Sequence, residues 1–393
     1  MKILHLTHDH CALDDRIFYR ESRSLAKSHE VMILCRHMTD MGGTPVKEEY
    51  RDRVNIKQYN SAEIGSKAVF FQYLLGFNAP NINEALEETA RFSPDVLHVH
   101  DPLAFCAALR IKKVSPKIKI IVDLHENWEK AYHGGIKAIA LNKALSSCLK
   151  KVLKNADGLI AADPRTLVRS KKFFKNGVSC VIENRPLPFS GDLPDSKFLK
   201  KEKVIIHEGT LKFHIGLKDI TKTIEILKKR GEKDFKLRIL GNIPDPEKKW
   251  LDKTIREKSL QDMVEISGFV KYENLRTHEE EALIGLIMLD PAVPNNHFGS
   301  TNKLWNYFAA GLYIISYDTG SETETIEKNK AGKVLRNSNP EEAADEILRI
   351  SNNPELLEKT CRNNRKLALQ SSFNWLFEEK KLNDFYKKLM DMN

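Results

Sequence analysis

The sequence is short of everything that would cross-link a chain or place it in a membrane. Six cysteines (11, 35, 106, 148, 180, 361) occur in 393 residues, and no two form a CxxC pair. That argues against a disulfide framework and against a thiolate zinc site, so reduced and mostly buried thiols are expected. No apolar run approaches the ~20 residues needed to span a bilayer. The first apolar segment, KILHLT, is too short and wrongly flanked for a signal peptide, which leads us to expect a cytoplasmic protein.

What is present describes a globular chain, 41% hydrophobic and 30% charged, long enough for two domains that each bury a core. The net charge of +9 is unevenly spread. Between Ile136 and Lys154 stand five lysines (137, 143, 150, 151, 154) and no acid. Ile139, Leu145, Leu149 and Leu153 recur there at helical spacing, so an amphipathic helix with a basic face is expected. Arg165, Arg169, Lys171, Lys172 and Lys175 follow. Such a surface is either solvated or set against anionic lipid at the inner face of a membrane. Nucleic acid is not expected, because no base-stacking pattern accompanies the charge.

Short apolar runs alternate with longer periodic segments, the signal of βαβ units and parallel sheets. Strands are predicted near 2–7, 30–35, 54–59, 95–100, 118–124, 157–162 and 179–183. The proline-broken stretch after them reads as a linker, and the count restarts near 203–207, 235–240, 264–267, 283–289, 313–317 and 332–335. The expected domains are therefore 1–183 and 203–371, with a linker at 184–202 and a helix at 372–393. That last helix places Trp375, Phe377, Leu382 and Phe385 near one face.

Residues 299–318, GSTNKLWNYFAAGLYIISYD, form a polar turn, a short helix from Leu304 to Ala310 ended by Gly311, and an apolar strand. Free N–H groups at such a helix start suit an anion, and Lys303 adds a mobile cation. An ordinary capped helix would read the same way. Gly209 ends a strand and opens the loop GTLKFHIG, which is equally a phosphate loop or a plain β–α turn. His125 ends the strand of DLHENW, and His98 and His100 share a strand face. With His125 these two could ligate a metal, but no acidic or thiol partner has matching spacing, so no metal is expected. Asp14, Asp15 and Arg16 follow the first strand, where they could cap the next helix.

TNKLWNYFAAGLYII resembles the donor-site signature of family 4 nucleotide-sugar glycosyltransferases. Further segments resemble that family in order: LDDRIFYRESRSLAKSHEV, DVLHVHDPLA, KIIVDLHENWEKAY, ADGLIAAD, VIENRPLPF, VIIHEGTLKFHIGLKDI, LRILGN, EISGFVKYENL and AGKVLRNSNPEEAADEI. The resemblance implies an α/β GT-B fold, two Rossmann-like doubly wound parallel-sheet domains facing a cleft, the last helix crossing back onto the first domain. It implies a retaining sugar transfer from a UDP- or GDP-sugar to a saccharide or lipid-linked acceptor in envelope glycan synthesis, with no cofactor and no metal. A front-face route, in which the leaving phosphate takes the acceptor proton, would need no separate general base.

By the same resemblance His125 stands beside the reacting sugar. Donor contacts fall on Gly209, Thr210, Lys212, His214, Gly241, Val270, Gly299, Ser300, Thr301, Asn302, Lys303 and Asn306, and acceptor contacts on Asp15, Arg16, His100 and Glu126. The chain departs from the family where relatives carry basic residues, at Thr210 and Ile215, and where they carry acids, at Phe298 and Asn306. An Asn306→Glu substitution is accordingly expected to be harmless or to tighten donor binding. These departures leave a non-catalytic nucleotide-sugar-binding scaffold, or a nucleotide-sugar epimerase on the same fold, as rival readings.

Overall fold

A computed structural model describes residues 1–36, 48–59, 80–125, 135–298 and 301–392. The chain forms two compact units, Met1–Glu183 with Glu378–Asn393, and Asn184–Phe377.

The first unit is an eight-stranded sheet: β1 Lys2–Thr7, β2 Glu30–Arg36, β3 Glu48–Arg51, β4 Val54–Tyr59, β5 Val96–Val99, β6 Lys119–Leu124, β7 Gly158–Ala161 and β8 Val178–Val181. They lie in the order β3-β4-β2-β1-β5-β6-β7-β8. All pairings are parallel except the edge pair β3 and β4. β1 and β5 run side by side where the strand order reverses, and β1 pairs in register so that His5 faces His98 and Leu6 faces Val99. Runs such as KILHLT and KIIVDL are nearly continuous in apolar character because helices cover both faces of a parallel sheet.

The helix Pro102–Val114 is started by Asp101, whose Oδ1 accepts from the N–H groups of Leu103 and Ala104. The helix Trp375–Asp391 buries Leu382, Phe385, Tyr386 and Leu389. Phe385 fills the space above Gly158, where an added Cβ would stand 2.7 Å from its ring. Phe377, expected on the buried face, is exposed while Trp375 is buried, because at 3.6 residues per turn it points well round the helix from Leu382.

The second unit has six parallel strands, β9 Lys203–Glu208, β10 Phe235–Leu240, β11 Val264–Gly268, β12 Ile284–Ile287, β13 Tyr313–Tyr317 and β14 Gly332–Leu335. Their order is β11-β10-β9-β12-β13-β14, so the switch point falls between β9 and β12. One core layer gathers Ile205, Leu237, Ile239, Leu286 and Ile315, and a second gathers Ile206, Ile287, Tyr307, Phe308 and Ile314. Alternate residues of the same strands thus feed opposite faces.

The helix Gly135–Asn155 buries Leu145, Leu149 and Leu153 and exposes Lys143, Lys151 and Lys154. The side chain of Lys137 lies outside the described residues. Ile139, expected with the buried stripe, is 68% exposed while Leu141 is buried, because at 3.6 residues per turn Ile139 points well round the helix from Leu145. All six cysteines are free thiols. Among the described residues no helix is long and apolar enough to cross a membrane.

Candidate functional site

In both units the residues able to do chemistry collect at the carboxyl ends of the strands flanking the switch point. In the first unit they come from β1, β5, β6 and the turn after β1. Asp14 caps that turn, its Oδ1 accepting from the N–H groups of Arg16 and Ile17 at 2.9 Å each. A wide π-helical turn, Ile17–Ser22, follows. This arrangement buries Arg16, whose Nε and Nη2 reach Asp123 at 2.8 and 2.9 Å while Nη1 donates to the Ile182 carbonyl at 2.8 Å. Burial works against the Asp123 charge, but Arg16 and His125 hold its carboxyl well below the usual range.

Four imidazoles line this edge, with His5 and His98 stacked on His100, and with His125 edge-on to it. His5 Nδ1 and His100 Nε2 are 2.9 Å apart, and His100 Nδ1 and His125 Nε2 are 3.2 Å apart. His125 Nε2 also lies 3.2 Å from Asp123 Oδ2, so one carboxylate orients both the histidine and the arginine. Burial, reinforced by neighbouring imidazoles, holds His5 and His98 well below the ordinary histidine value, which keeps them neutral. His10 behaves oppositely. Burial opposes its charge, yet Asp14, 3.0 Å from Nδ1, raises it to about 9. A cation therefore stands beside His125, the two ring centroids 4.6 Å apart.

In the second unit, β9 and β10 end in two glycines pressed together. Gly209 has φ +91, and an added Cβ on Gly241 would lie 2.2 Å from the Gly209 carbonyl oxygen. Only glycine permits that approach. Thr210 is exposed, and Lys212 starts a short turn, Phe213–Ile215. The His214 carbonyl accepts from Asn296 Nδ2 at 3.0 Å, tying this loop to the one after β12. Val270, just after β11, is partly buried against the second core layer. The signature helix runs Asn302–Ala310, with Thr301 before it, whose side chain makes no capping bond to the helix. The Thr301 N–H donates to Glu322 Oε1 at 2.8 Å, and its hydroxyl bonds the same oxygen.

The structure corrects several expectations. Lys303 is no mobile surface cation: it is 8% exposed. Burial lowers its pKa, while Glu322 and Glu208 favour its charge. Asn306 does not face an empty carboxylate position, because its Nδ2 donates to Glu208 Oε1 at 2.9 Å. Glu208, directly before Gly209, thus brings an acid to the place where residue 306 lacks one. Glu279 joins it, its carboxyl pushed well above the usual range by burial and by Glu208. Arg16 and His100, expected at the acceptor, are 1% and 0% exposed and their polar groups bond inward. Asp15 stays partly exposed and pairs with Arg20 at 3.3 Å. Glu126, Gly299 and Ser300 lie outside the described residues.

Sequence spacing also hid the acidic partners of the histidines. One ligand-type atom from each of His5, Glu21, His98 and His100 lies within 4.8 Å of the others, and the same holds for His100, Asp123 and His125. The available signal was an acid inside an apolar strand, KIIVDL, or directly before a glycine, VIIHEG.

Two parallel sheets, each with a switch point lined by polar groups, define the GT-B class of nucleotide-sugar enzymes. Residues 15–184 match Glycosyltransferase Family 4 and residues 192–367 match Glycosyl transferases group 1. The chain belongs to the family 4 GT-B glycosyltransferases. Among solved structures it is similar to sucrose-phosphate synthase from Thermosynechococcus elongatus, with 15% identity, 100% of each chain covered and a TM-score of 0.79. It is also similar to HepE of Anabaena in complex with UDP and glucose, with 12% identity, 98% of this chain and 99% of that one covered and a TM-score of 0.72. A third is the trehalose-6-phosphate protein of E. coli bound with UDP-2-fluoro glucose, with 10% identity, full coverage of both chains and a TM-score of 0.69. At these identities the likeness establishes the fold. No curated protein sequence matches the chain.

Proposed function

We propose that this glycosyltransferase moves a sugar, with retention, from a UDP- or GDP-sugar to a saccharide or lipid-linked acceptor in envelope glycan synthesis. The second unit holds the donor. The observation that carries this reading is the helix start at Asn302, beside the β9/β12 switch point with a buried lysine on its first turn. Backbone N–H groups and the positive end of the helix dipole receive the diphosphate there. Lys303 supplies the balancing charge, favoured by Glu322 and Glu208 against its burial. Glu208 and Asn306 together offer a carboxylate and an amide to hydroxyls of the donor.

The first unit supplies His125, held by Asp123 and flanked by protonated His10. The imidazole stabilises charge as the sugar–phosphate bond breaks, and the departing phosphate accepts the acceptor proton. UDP and UDP-glucose in HepE, and UDP-2-fluoro glucose in the E. coli structure, support a uridine nucleotide as the first donor to try. The lysines of the helix Gly135–Asn155, with Ile139 exposed among them, support a reversible contact with anionic lipid that would present the acceptor.

Calorimetric titration of the protein with UDP and GDP tests the reading. Lys303→Ala is expected to weaken the preferred nucleotide at least ten-fold while the circular dichroism spectrum is retained. Unchanged affinity would remove the helix start from the donor site.

A further inference from the structure

The histidines of the first unit include a group that the transfer reaction does not use. His5 and His98 are register partners on β1 and β5, so their side chains leave the sheet on the same face, ring centroids 4.7 Å apart. The π-helical turn carries Glu21 over that face. All three residues are 0% exposed. His5 Nε2, His98 Nε2 and Glu21 Oε2 lack a hydrogen bond, while Glu21 Oε1 pairs with the Arg16 guanidinium. Buried polar atoms are ordinarily satisfied, and three orphans, one from each of three neighbouring buried side chains, call for a common partner.

We propose that His5, His98 and Glu21 hold a divalent transition-metal ion, zinc by the chemistry of the donor set, as a structural site. Two imidazole nitrogens and a carboxylate suit zinc. Glu21 Oε2 would be the third protein ligand and a bound water the fourth. His98 Nε2 and Glu21 Oε2 are 3.9 Å apart. Bonds of ~2.1 Å at a tetrahedral angle separate two ligand atoms by ~3.4 Å, so a contraction of about half an ångström completes the pair.

The other nitrogen of each imidazole is already held. His5 Nδ1 meets His100 Nε2 at 2.9 Å, and His98 Nδ1 meets the Tyr386 hydroxyl at 2.9 Å. Such outer contacts fix the tautomer that leaves Nε2 as the ligand atom. Arg16 Nε, 3.1 Å from Glu21 Oε1, opposes a cation, but Asp123 takes that guanidinium through two bonds. The ion would join β1, β5 and the turn after β1 beneath the helix Trp375–Asp391. All three protein ligands are fully buried, so the ion takes no part in sugar transfer and the proposal stands apart from the proposed reaction.

The test is the metal content of the full-length protein, measured by plasma mass spectrometry after chelation and again after incubation with zinc chloride. About one zinc per chain is expected, with a melting temperature several degrees above that of the stripped protein. His98→Gln and Glu21→Gln should each lose zinc at least ten-fold, and Tyr386→Phe about ten-fold. His125→Ala should retain it. Cobalt substitution of the wild type, which does not depend on any variant folding, should give the visible bands of a tetrahedral nitrogen and oxygen site without a thiolate band. Stripped wild type that neither takes up zinc nor changes its melting temperature would overturn the proposal, as would Glu21→Gln and His98→Gln proteins that bind zinc as tightly as wild type.

Discussion

At the scale of single residues, the charges of the two sites are set by the groups that each one faces. His10 is the clearest case for a pH measurement. Its pKa is raised from 6.5 to about 9 in the folded protein because Asp14 outweighs its burial. Its contribution to stability is therefore complete below about pH 6.5 and is lost as the pH rises toward 9. The shift is worth up to about 3 kcal/mol, at ~1.4 kcal/mol per pKa unit. Denaturant titrations at pH 6 and pH 9.5 should show that loss in wild type and a much smaller one in His10→Gln. Equal pH dependence in both proteins would show that the pair contributes nothing.

The Asn306 expectation changes sign once Glu208 is seen. A glutamate at 306 would face the Glu208 carboxylate across a buried contact now bridged at 2.9 Å by an amide. Asn306→Glu should cost about 2–4 kcal/mol, because two like charges share a site with little solvent. The double variant Glu208→Gln/Asn306→Glu restores one acid and one amide, and should recover most of the loss in melting temperature. Failure of the rescue would show that the two positions are energetically independent.

At the scale of elements, most strands were legible because helix-covered parallel strands are short, apolar and bounded by polar turns. β3 was not. Its residues, Glu48–Arg51, carry three charges and one tyrosine, the composition of an edge strand shielded against further pairing rather than of a core strand. The signature helix was legible down to its final glycine, and that residue can be tested. Gly311 adopts φ +60, and an added Cβ would meet Leu193 Cδ1 at 2.5 Å and the Cys361 carbonyl oxygen at 2.9 Å. Gly311→Ala should lose about 1–3 kcal/mol in denaturant unfolding from backbone strain and overlap together. A neutral result would mean that the turn can relax into another conformation. The sites were less legible than the elements. Glycines and strand ends declare themselves locally, whereas the position of Glu208 beside Asn306, or of Glu21 beside His98, exists only after β9 has paired with β12 and β1 with β5, strands distant in the sequence.

At the scale of the whole molecule, the first unit is assembled from both ends of the chain. Leu382, Phe385, Tyr386 and Leu389 are each at most 2% exposed in it. Burying such side chains contributes roughly 1.5–3 kcal/mol apiece, so the four together rival the net stability of an ordinary domain. Truncation after Phe377 should therefore leave Met1–Glu183 open to limited proteolysis while Asn184–Phe377 still gives a protected fragment. Equal protection of both would show that the returning helix is dispensable.

That same division of the chain sets an order of events during synthesis. The second unit is continuous and can close as soon as it has left the ribosome, but the first must wait for Glu378, 195 residues after Glu183. At ~5–20 residues per second the delay is roughly 10–40 s. For that interval the sheet face around His98 and Gly158 lacks its permanent cover, so the half of the protein made first is the half finished last. It is there that a nascent-chain chaperone would find its longest-lived apolar target.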